Sequence, residues 1–302
     1  MKIATIDIGT NTVLLLLAKL GPDGALVPLL HEQRFPRLGR GVDANGRLAP
    51  DAMTRVITVL EEFRALLTPH RPDRVILCGT SAVRDAHNQD EFIDRVGRET
   101  GLTLEVLSGE DEACWMYRGA LSGIHDIQRA TVVDIGGGST EIVTGNRKAI
   151  DRTISLQIGS VRLTERFLRH DPPTDPELEA AITEIENGLA LAGDFSFAGS
   201  TLVGVAGTAT SLALLAQGAT AFETVSGYRM LYLVVDHLFR TLRSMPSGMI
   251  RNLSAAMEGR ADVITAGALI LREVMAHFGF DEIVVSERGL RYGLVLREAE
   301  NL

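Results

Sequence analysis

The sequence predicts an α/β chain built from two copies of one domain, and three observations carry that reading. A strand, a glycine turn and a second strand open the chain as ATIDIGTNTVLLLLA and return as TVVDIGGGSTEIV. Asp7, Gly9, Thr10 and Thr12 fall in register with Asp134, Gly136, Gly137 and Ser139, and the offset from Asp7 to Asp134 is 127 residues. So long a spacing suits a duplicated domain rather than a solenoid, whose repeats run roughly 20–50 residues. Finally, apolar strand-like runs and helical periodicity alternate in the same order in both halves, β-β-β-α-β-α-β-α.

In the first half, strands are expected up to Asp7, over 12–19 and over 25–34, the last two joined by a Gly-Pro-Asp-Gly turn at 21–24. Leu38 to Gly46 reads as a glycine-rich loop. Ala49-Pro50-Asp51 opens a helix to Leu67 with Val56, Leu60, Phe63 and Leu67 on one face, proline being favoured at the first helical position. A strand over 74–78 ends at Cys78, and Gly79-Thr80-Ser81 turns into a helix. After a strand over 104–107, Ser108 caps a helix carrying Glu110, Asp111 and Glu112.

The second half repeats this order with strands at 130–136, 139–145 and 149–157, a helix from Ser160, a His170-Asp171-Pro172-Pro173 loop and a helix over 175–192. A strand over 202–206 leads through Gly207-Thr208-Ala209-Thr210 into a helix; helices dominate 229–278; a strand at 282–286 precedes a last helix from 289. The boundary between the copies is placed between 122 and 130, giving domains 1–124 and 125–302, with the last helix packing back on the first.

Bulk properties narrow the function. With 302 residues, 45% hydrophobic and 23% charged, the chain has ordinary soluble composition and length for two domains. A net charge of −9 argues against general nucleic-acid or membrane binding. A polyanionic ligand would need a local positive field, and because Lys2, Lys19 and Lys148 are the only lysines, arginine must supply it. Cys78 and Cys114 make neither a disulfide framework nor a zinc pattern, which fits a reducing cytoplasm. The apolar run Val13 to Ala18 is too short for a membrane span and follows Asp7 and Asn11, so it reads as a strand.

The glycine turns carry the chemistry. Consecutive glycines let backbone N–H groups crowd around a ligand, and phosphate is the usual one. Four glycine or hydroxyl turns follow strands, at 7–12, 79–81, 134–140 and 207–210, and in α/β domains ligands bind beyond the carboxyl ends of strands. Two facing domains would aim all four into one phosphate-binding cleft. No Walker sequence and no G-x-S-x-G elbow is present. Asp7, Asp134 and Glu141 sit at these turns, and carboxylates beside phosphate need a cation between them; magnesium, a hard oxygen-seeking ion, is the natural one, with manganese as a substitute. Arg84 is placed to clamp a phosphate. In SGEDEACW, three acids in the first turn of a helix are favoured by its dipole, and ordinary capping accounts for such a cluster. One of them facing the ligand would serve as a base that activates water. Glu112 is deepest in the helix, and burial would raise its pKa toward a useful value.

Taken with IDIGTNT, LGRGVDANGRL, GTSAVRDAHN, SGEDEA, VVDIGGGSTEIV, SLQIGSVRLTERF, VAGTATSLA, GRADVITAGALIL and SERGLRYGLVL, the chain resembles the exopolyphosphatase/guanosine pentaphosphate phosphatase family of the actin–sugar kinase–Hsp70 superfamily over nearly its whole length. The resemblance implies two actin-like (ribonuclease H-like) domains and a magnesium-dependent hydrolase, a homodimer, that removes terminal phosphates from inorganic polyphosphate or pppGpp. It implies that Glu112 activates the water and that Asp134 and Glu141, with Asp7 as a further candidate, are the metal-associated acids. Gly9, Thr10, Asn11, Thr12, Arg84 and the amides of Gly136, Gly137, Gly138 and Ser139 would hold phosphates, extended by Thr208. Thr10 and Thr12 stand where serine is common, which keeps both hydroxyls. Long members add helical domains that build a basic channel; ending at Leu302, this chain is expected to favour short polyphosphate. The rival readings are a pppGpp or nucleoside triphosphate phosphohydrolase and, in another class, a weakly catalytic nucleotide sensor. An aromatic content of 5% argues against a dedicated base pocket, and the intact SGEDEA acids argue against a dead enzyme.

Overall fold

The computed structural model describes residues 1–302 except 22–24, 125, 194–196, 198, 219–224 and 301–302, so the turn expected at 21–24 lies largely outside the described residues. The chain forms two compact units: Met1–Gly119 joined by the segment from Leu290, and Ala120–Gly289.

Unit 1 begins with β1 (Lys2–Ile8), β2 (Val13–Leu20) and β3 (Leu26–Arg34), continues with helices α1 (Val42–Asn45) and α2 (Pro50–Leu67), strand β4 (Arg74–Gly79), helices α3 (Ser81–Arg84) and α4 (Gln89–Thr100), strand β5 (Leu104–Val106) and helix α5 (Gly109–Leu121), which runs into unit 2. Its sheet has the order β3-β2-β1-β4-β5. Pairing is antiparallel from β3 to β1 and parallel from β1 to β5. Alternation of side chains along β1 sends Ala4, Ile6 and Ile8 into a core with Leu60 and Phe63 of α2 and Phe92 and Val96 of α4. The opposite face sends Ile3, with Leu16 and Ala18 of β2, against Tyr292 and Val295 of the last helix. The stretch expected to be a plain loop at 38–46 holds the short α1, because Gly41 and Gly46, both at positive φ, end one helical turn on either side.

Unit 2 contains β6 (Arg129–Ile135), β7 (Thr140–Asn146), β8 (Ile150–Leu156), α6 (Ser160–Phe167), α7 (Asp175–Ala190), β9 (Thr201–Val205), α8 (Ala206–Gln217), β10 (Arg229–Leu231), α9 (Tyr232–Arg243), α10 (Ser247–Arg251), α11 (Ile264–Phe278) and β11 (Glu282–Val285); α12 (Leu290–Glu300) returns to unit 1. The sheet order is β10-β11-β9-β6-β7-β8. Without β10 this is the order of unit 1, strand for strand. Helices dominate 229–278 as expected, and the stretch also opens with β10, whose three residues pair antiparallel with β11 and are too few to show an alternating pattern. The loop at 170–173 is pinned: Asp171 accepts the backbone N–H and the hydroxyl of Ser247, each at 2.7 Å. Thr174 and Glu177 form a reciprocal capping box at the start of α7. Among the described residues no helix is long and apolar enough to cross a membrane.

Candidate active site

Each unit presents a glycine turn at the carboxyl end of its central strand, and each turn is closed internally by an equivalent backbone hydrogen bond. Gly9 N–H donates to the Thr12 carbonyl at 2.9 Å, and Gly136 N–H to the Ser139 carbonyl at 3.0 Å. In each unit a second loop follows the neighbouring parallel strand and ties back to the first. Thr80 N–H donates to Ile8 O at 3.2 Å in unit 1, and the Thr208 hydroxyl donates to Ile135 O at 3.2 Å in unit 2.

In unit 1, Thr10, Asn11 and Thr12 are buried at the turn. Their backbone is tied down from behind: Thr10 O accepts from Gly39 N–H at 2.8 Å and Asn11 O from Arg37 N–H at 3.1 Å. Asp7 is half-buried as a residue, but its Oδ1 is enclosed and has no hydrogen-bond partner. Burial pushes its pKa up to about 6, against the opposing pull of the Arg291 guanidinium. Cys78, beside Asp7 on β4, is wholly buried, and desolvation holds its thiol well above the usual range, so it packs as a small apolar group.

Beyond β5, Ser108 Oγ accepts the Asp111 N–H at 3.0 Å and donates to the Asp111 carboxylate at 2.8 Å. Glu110 and Asp111 are exposed, which leaves Glu112 as the sheltered acid of the three, its side chain 12% exposed. Arg84, the last residue of the one-turn α3, donates through Nη1 to Glu112 Oε2 at 2.8 Å and to the Leu107 carbonyl at 3.0 Å. Its Nη2 is enclosed without a partner. A half-buried charge pair of this kind holds the carboxylate in place.

In unit 2, Asp134 and Glu141 are directly opposed across β6 and β7, so both carboxylates stand on one face of the sheet. Glu141 is 2% exposed and accepts the Ser155 hydroxyl at 2.7 Å from the facing position on β8. The glycine turn between these strands has its carbonyls taken by the start of α6. Gly136 O accepts Ser160 N–H at 2.9 Å, Gly137 O accepts Val161 N–H at 2.9 Å, and Gly138 O accepts Arg162 Nε at 2.8 Å. The N–H groups of Gly137 and Gly138 take part in none of these bonds, so they remain to receive a ligand. Thr208 is buried with its hydroxyl given to Ile135, and Gly267 of α11 packs against that hydroxyl.

Sequence reasoning missed Ser155, Arg162 and Arg260. Arg260 packs its guanidinium against the backbone of Gly207, where a Cβ would collide with it. All three lie in quoted sequence, but their partners are backbone or distant strand positions that spacing does not reveal.

Among the described residues no cluster of three or more metal-ligating side chains occurs. The oxygen-only Asp134–Glu141 pair of unit 2 fits a magnesium ion, which keeps several waters and takes one or two carboxylates plus phosphate oxygens; the orphaned Asp7 oxygen of unit 1 is a donor of the same kind.

These features define an α/β protein with a glycine turn in each unit and a sheltered carboxylate. The chain matches the Ppx/GppA phosphatase family over residues 21–302. It is 39% identical over 314 residues to exopolyphosphatase 2 of Mycobacterium tuberculosis, covering 98% of both chains. The crystal structure of the Aquifex aeolicus Ppx/GppA family member superposes with a TM-score of 0.84 at 35% identity, over 100% of this chain and 98% of that one. A guanosine-5'-triphosphate,3'-diphosphate pyrophosphatase of Vibrio campbellii is 28% identical over 306 residues, and the match covers 99% of this chain and 59% of that relative. The chain belongs to the Ppx/GppA phosphatase family.

Proposed function

We propose that this chain is a phosphoric anhydride hydrolase that releases terminal orthophosphate from inorganic polyphosphate, with a preference for short chains. The single observation that carries this reading is the Arg84–Glu112 pair, a sheltered carboxylate fixed at 2.8 Å by a guanidinium whose second nitrogen has no partner. Glu112 takes the proton of a water attacking the terminal phosphorus in line. Arg84 meets the charge that develops on the phosphoryl oxygens, and the amides of Gly137, Gly138 and Ser139 hold phosphate, the Gly136 N–H being spent on the Ser139 carbonyl. Little covalent work falls to the protein, because phosphoryl transfer is catalysed mainly by positioning and charge stabilisation. Asp134 and Glu141 would hold magnesium, which supplies positive charge against the phosphate oxygens when bound; Asp7 is a further candidate. The extent of similarity to an exopolyphosphatase, along both chains, supports polyphosphate over pppGpp.

The test is phosphate release with Mg²⁺ from short polyphosphate, long polyphosphate, pppGpp and ATP at equal chain-end concentration, beside Glu112→Gln. Fastest turnover of short polyphosphate is expected. Dominant turnover of pppGpp or ATP would move the substrate assignment, and binding without turnover would favour a nucleotide sensor.

A further inference from the structure

The β6–β7 turn is held from one side by a single element. All of its glycine carbonyls are taken by the segment that starts α6: Gly136 O by Ser160 N–H at 2.9 Å and Ser160 Oγ at 3.2 Å, Gly137 O by the N–H groups of Val161 at 2.9 Å and Arg162 at 3.1 Å, and Gly138 O by Arg162 Nε at 2.8 Å. These peptide bonds are trans, the one cis bond of the described chain lying at Asp171–Pro172. In a planar trans peptide the C=O and the next residue's N–H point in opposite directions. Carbonyls turned toward α6 therefore turn the N–H groups of Gly137, Gly138 and Ser139 away from it, all to one side.

The same bonds act on the amides electronically. A donor on a carbonyl draws electron density through the peptide unit and makes its N–H a stronger donor, and a charged donor does so most. Gly138 C=O shares its peptide unit with Ser139 N–H, and its partner is a guanidinium. Arg162 is itself fixed, with Nη2 donating to Gln157 Oε1 at 2.8 Å. Gly159 permits the approach, since a Cβ there would collide with the Gly137 carbonyl. In unit 1 the equivalent carbonyls, on Thr10 and Asn11, accept the neutral backbone N–H groups of Gly39 and Arg37.

We infer that Arg162 is a positioning residue for phosphate: it orients and polarises the Gly138–Ser139 peptide from behind, without touching the ligand. The inference rests on the proposed role of the Gly137, Gly138 and Ser139 amides as phosphate donors. It also assigns α6 a role other than the direct anion site of a free helix N-terminus, because its first N–H groups are spent on carbonyls and its field reaches the phosphate through the turn.

The experiment uses tripolyphosphate with Mg²⁺ and the full-length chain carrying Glu112→Gln, so that the probe is bound without being consumed. Amide ¹H–¹⁵N signals and the Arg162 Nε–H signal are followed, and Kd is measured. The expected result is that the Gly137, Gly138 and Ser139 amides respond to tripolyphosphate and Arg162 Nε–H moves with them. Arg162→Gln should weaken binding about tenfold, which is ~1.4 kcal/mol, and Arg162→Lys should recover much of it. A folded Arg162→Gln protein that binds as tightly as its parent overturns the role of Arg162 and leaves the phosphate reading standing. If Arg162→Gln does not fold, an Arg162 Nε–H signal that stays still while the amides move in the unsubstituted turn has the same force. If the three amides do not respond at all, the phosphate reading fails and the inference falls with it.

Discussion

The hairpins β1–β2 and β6–β7 have the same turn backbone and opposite surroundings. Across from Asp7 stands Leu14; across from Asp134 stands Glu141, backed by Ser155. The first hairpin thus leaves one carboxylate alone with an enclosed, unpartnered oxygen, while the second builds a carboxylate pair. Support from behind also differs: backbone N–H groups of the 37–39 loop in unit 1, and the start of α6 with the Arg162 guanidinium in unit 2. The sheltered carboxylate of SGEDEA sits in unit 1 beside Arg84. Duplication supplied two glycine turns, and divergence around them left the sheltered carboxylate in unit 1 and the paired acids in unit 2.

The strongest way to break this division of labour is Glu112→Gln. It should lower phosphate release at least about a hundredfold, the loss expected of a general base, while leaving tripolyphosphate affinity near the parent's in a direct binding measurement. A loss of binding equal to the loss of rate would make Glu112 a ligand-holding residue instead.

The next test addresses the lone carboxylate. Asp7 has a pKa near 6 when folded against the ordinary 3.8, because burial disfavours its charge. Between those values the folded chain holds the extra proton, so its stability falls as pH rises from below 3.8 to above 6. The cost above that window is up to about 3 kcal/mol. Asp7→Asn should therefore be more stable than the parent at pH 8 in EDTA and lose that advantage near pH 4, as read by urea denaturation. An advantage independent of pH would show that Asp7 is not buried as a charge.

The glycines that back the turns sharpen the comparison. Gly159→Ala sets a methyl group against the Gly137 carbonyl, a backbone atom, whereas Gly39→Ala meets the Thr10 side chain. Side chains yield more easily than backbone. Gly159→Ala should cost about 1–3 kcal/mol, the usual penalty of overpacking, and Gly39→Ala less, in paired denaturation curves. The reverse order would mean that the α6 contact is the softer of the two.

The smallest effect is expected at the capping box of α7. Backbone N–H of Thr174, then the His170 ring, hold the Glu177 carboxyl at a pKa of about 2. With the folded value below the unfolded one, this stabilisation is present above the ordinary glutamate range and is lost as pH falls toward 2. Glu177→Gln should lower Tm slightly at pH 7 and not at pH 2, and an equal shift at both would assign the effect to the helix cap alone.

Local pattern made much of this legible. The turns announced themselves because three glycines in a row suit no regular element, and the copy at Asp134 turned a weak motif into a duplication. Glu112 stood out among three acids because it is deepest in its helix and next to the apolar face, and it is the sheltered one in the structure. β10 was hidden because three residues carry no period. The enclosed oxygen of Asp7 was hidden because enclosure depends on packing against the neighbouring strands and α12.

By itself, then, the sequence determined the two-domain α/β plan, the turns, and the acids and arginine around them, since these follow from period, glycine content and spacing. Only the tertiary structure decided which groups meet: Arg84 with Glu112 across 28 residues, Glu141 with Ser155 across a strand pair, and Arg162 behind the Gly138 carbonyl. Those pairings join segments whose spacing in the chain carries no information about distance in space, because strand order and helix packing, not local propensity, bring them together.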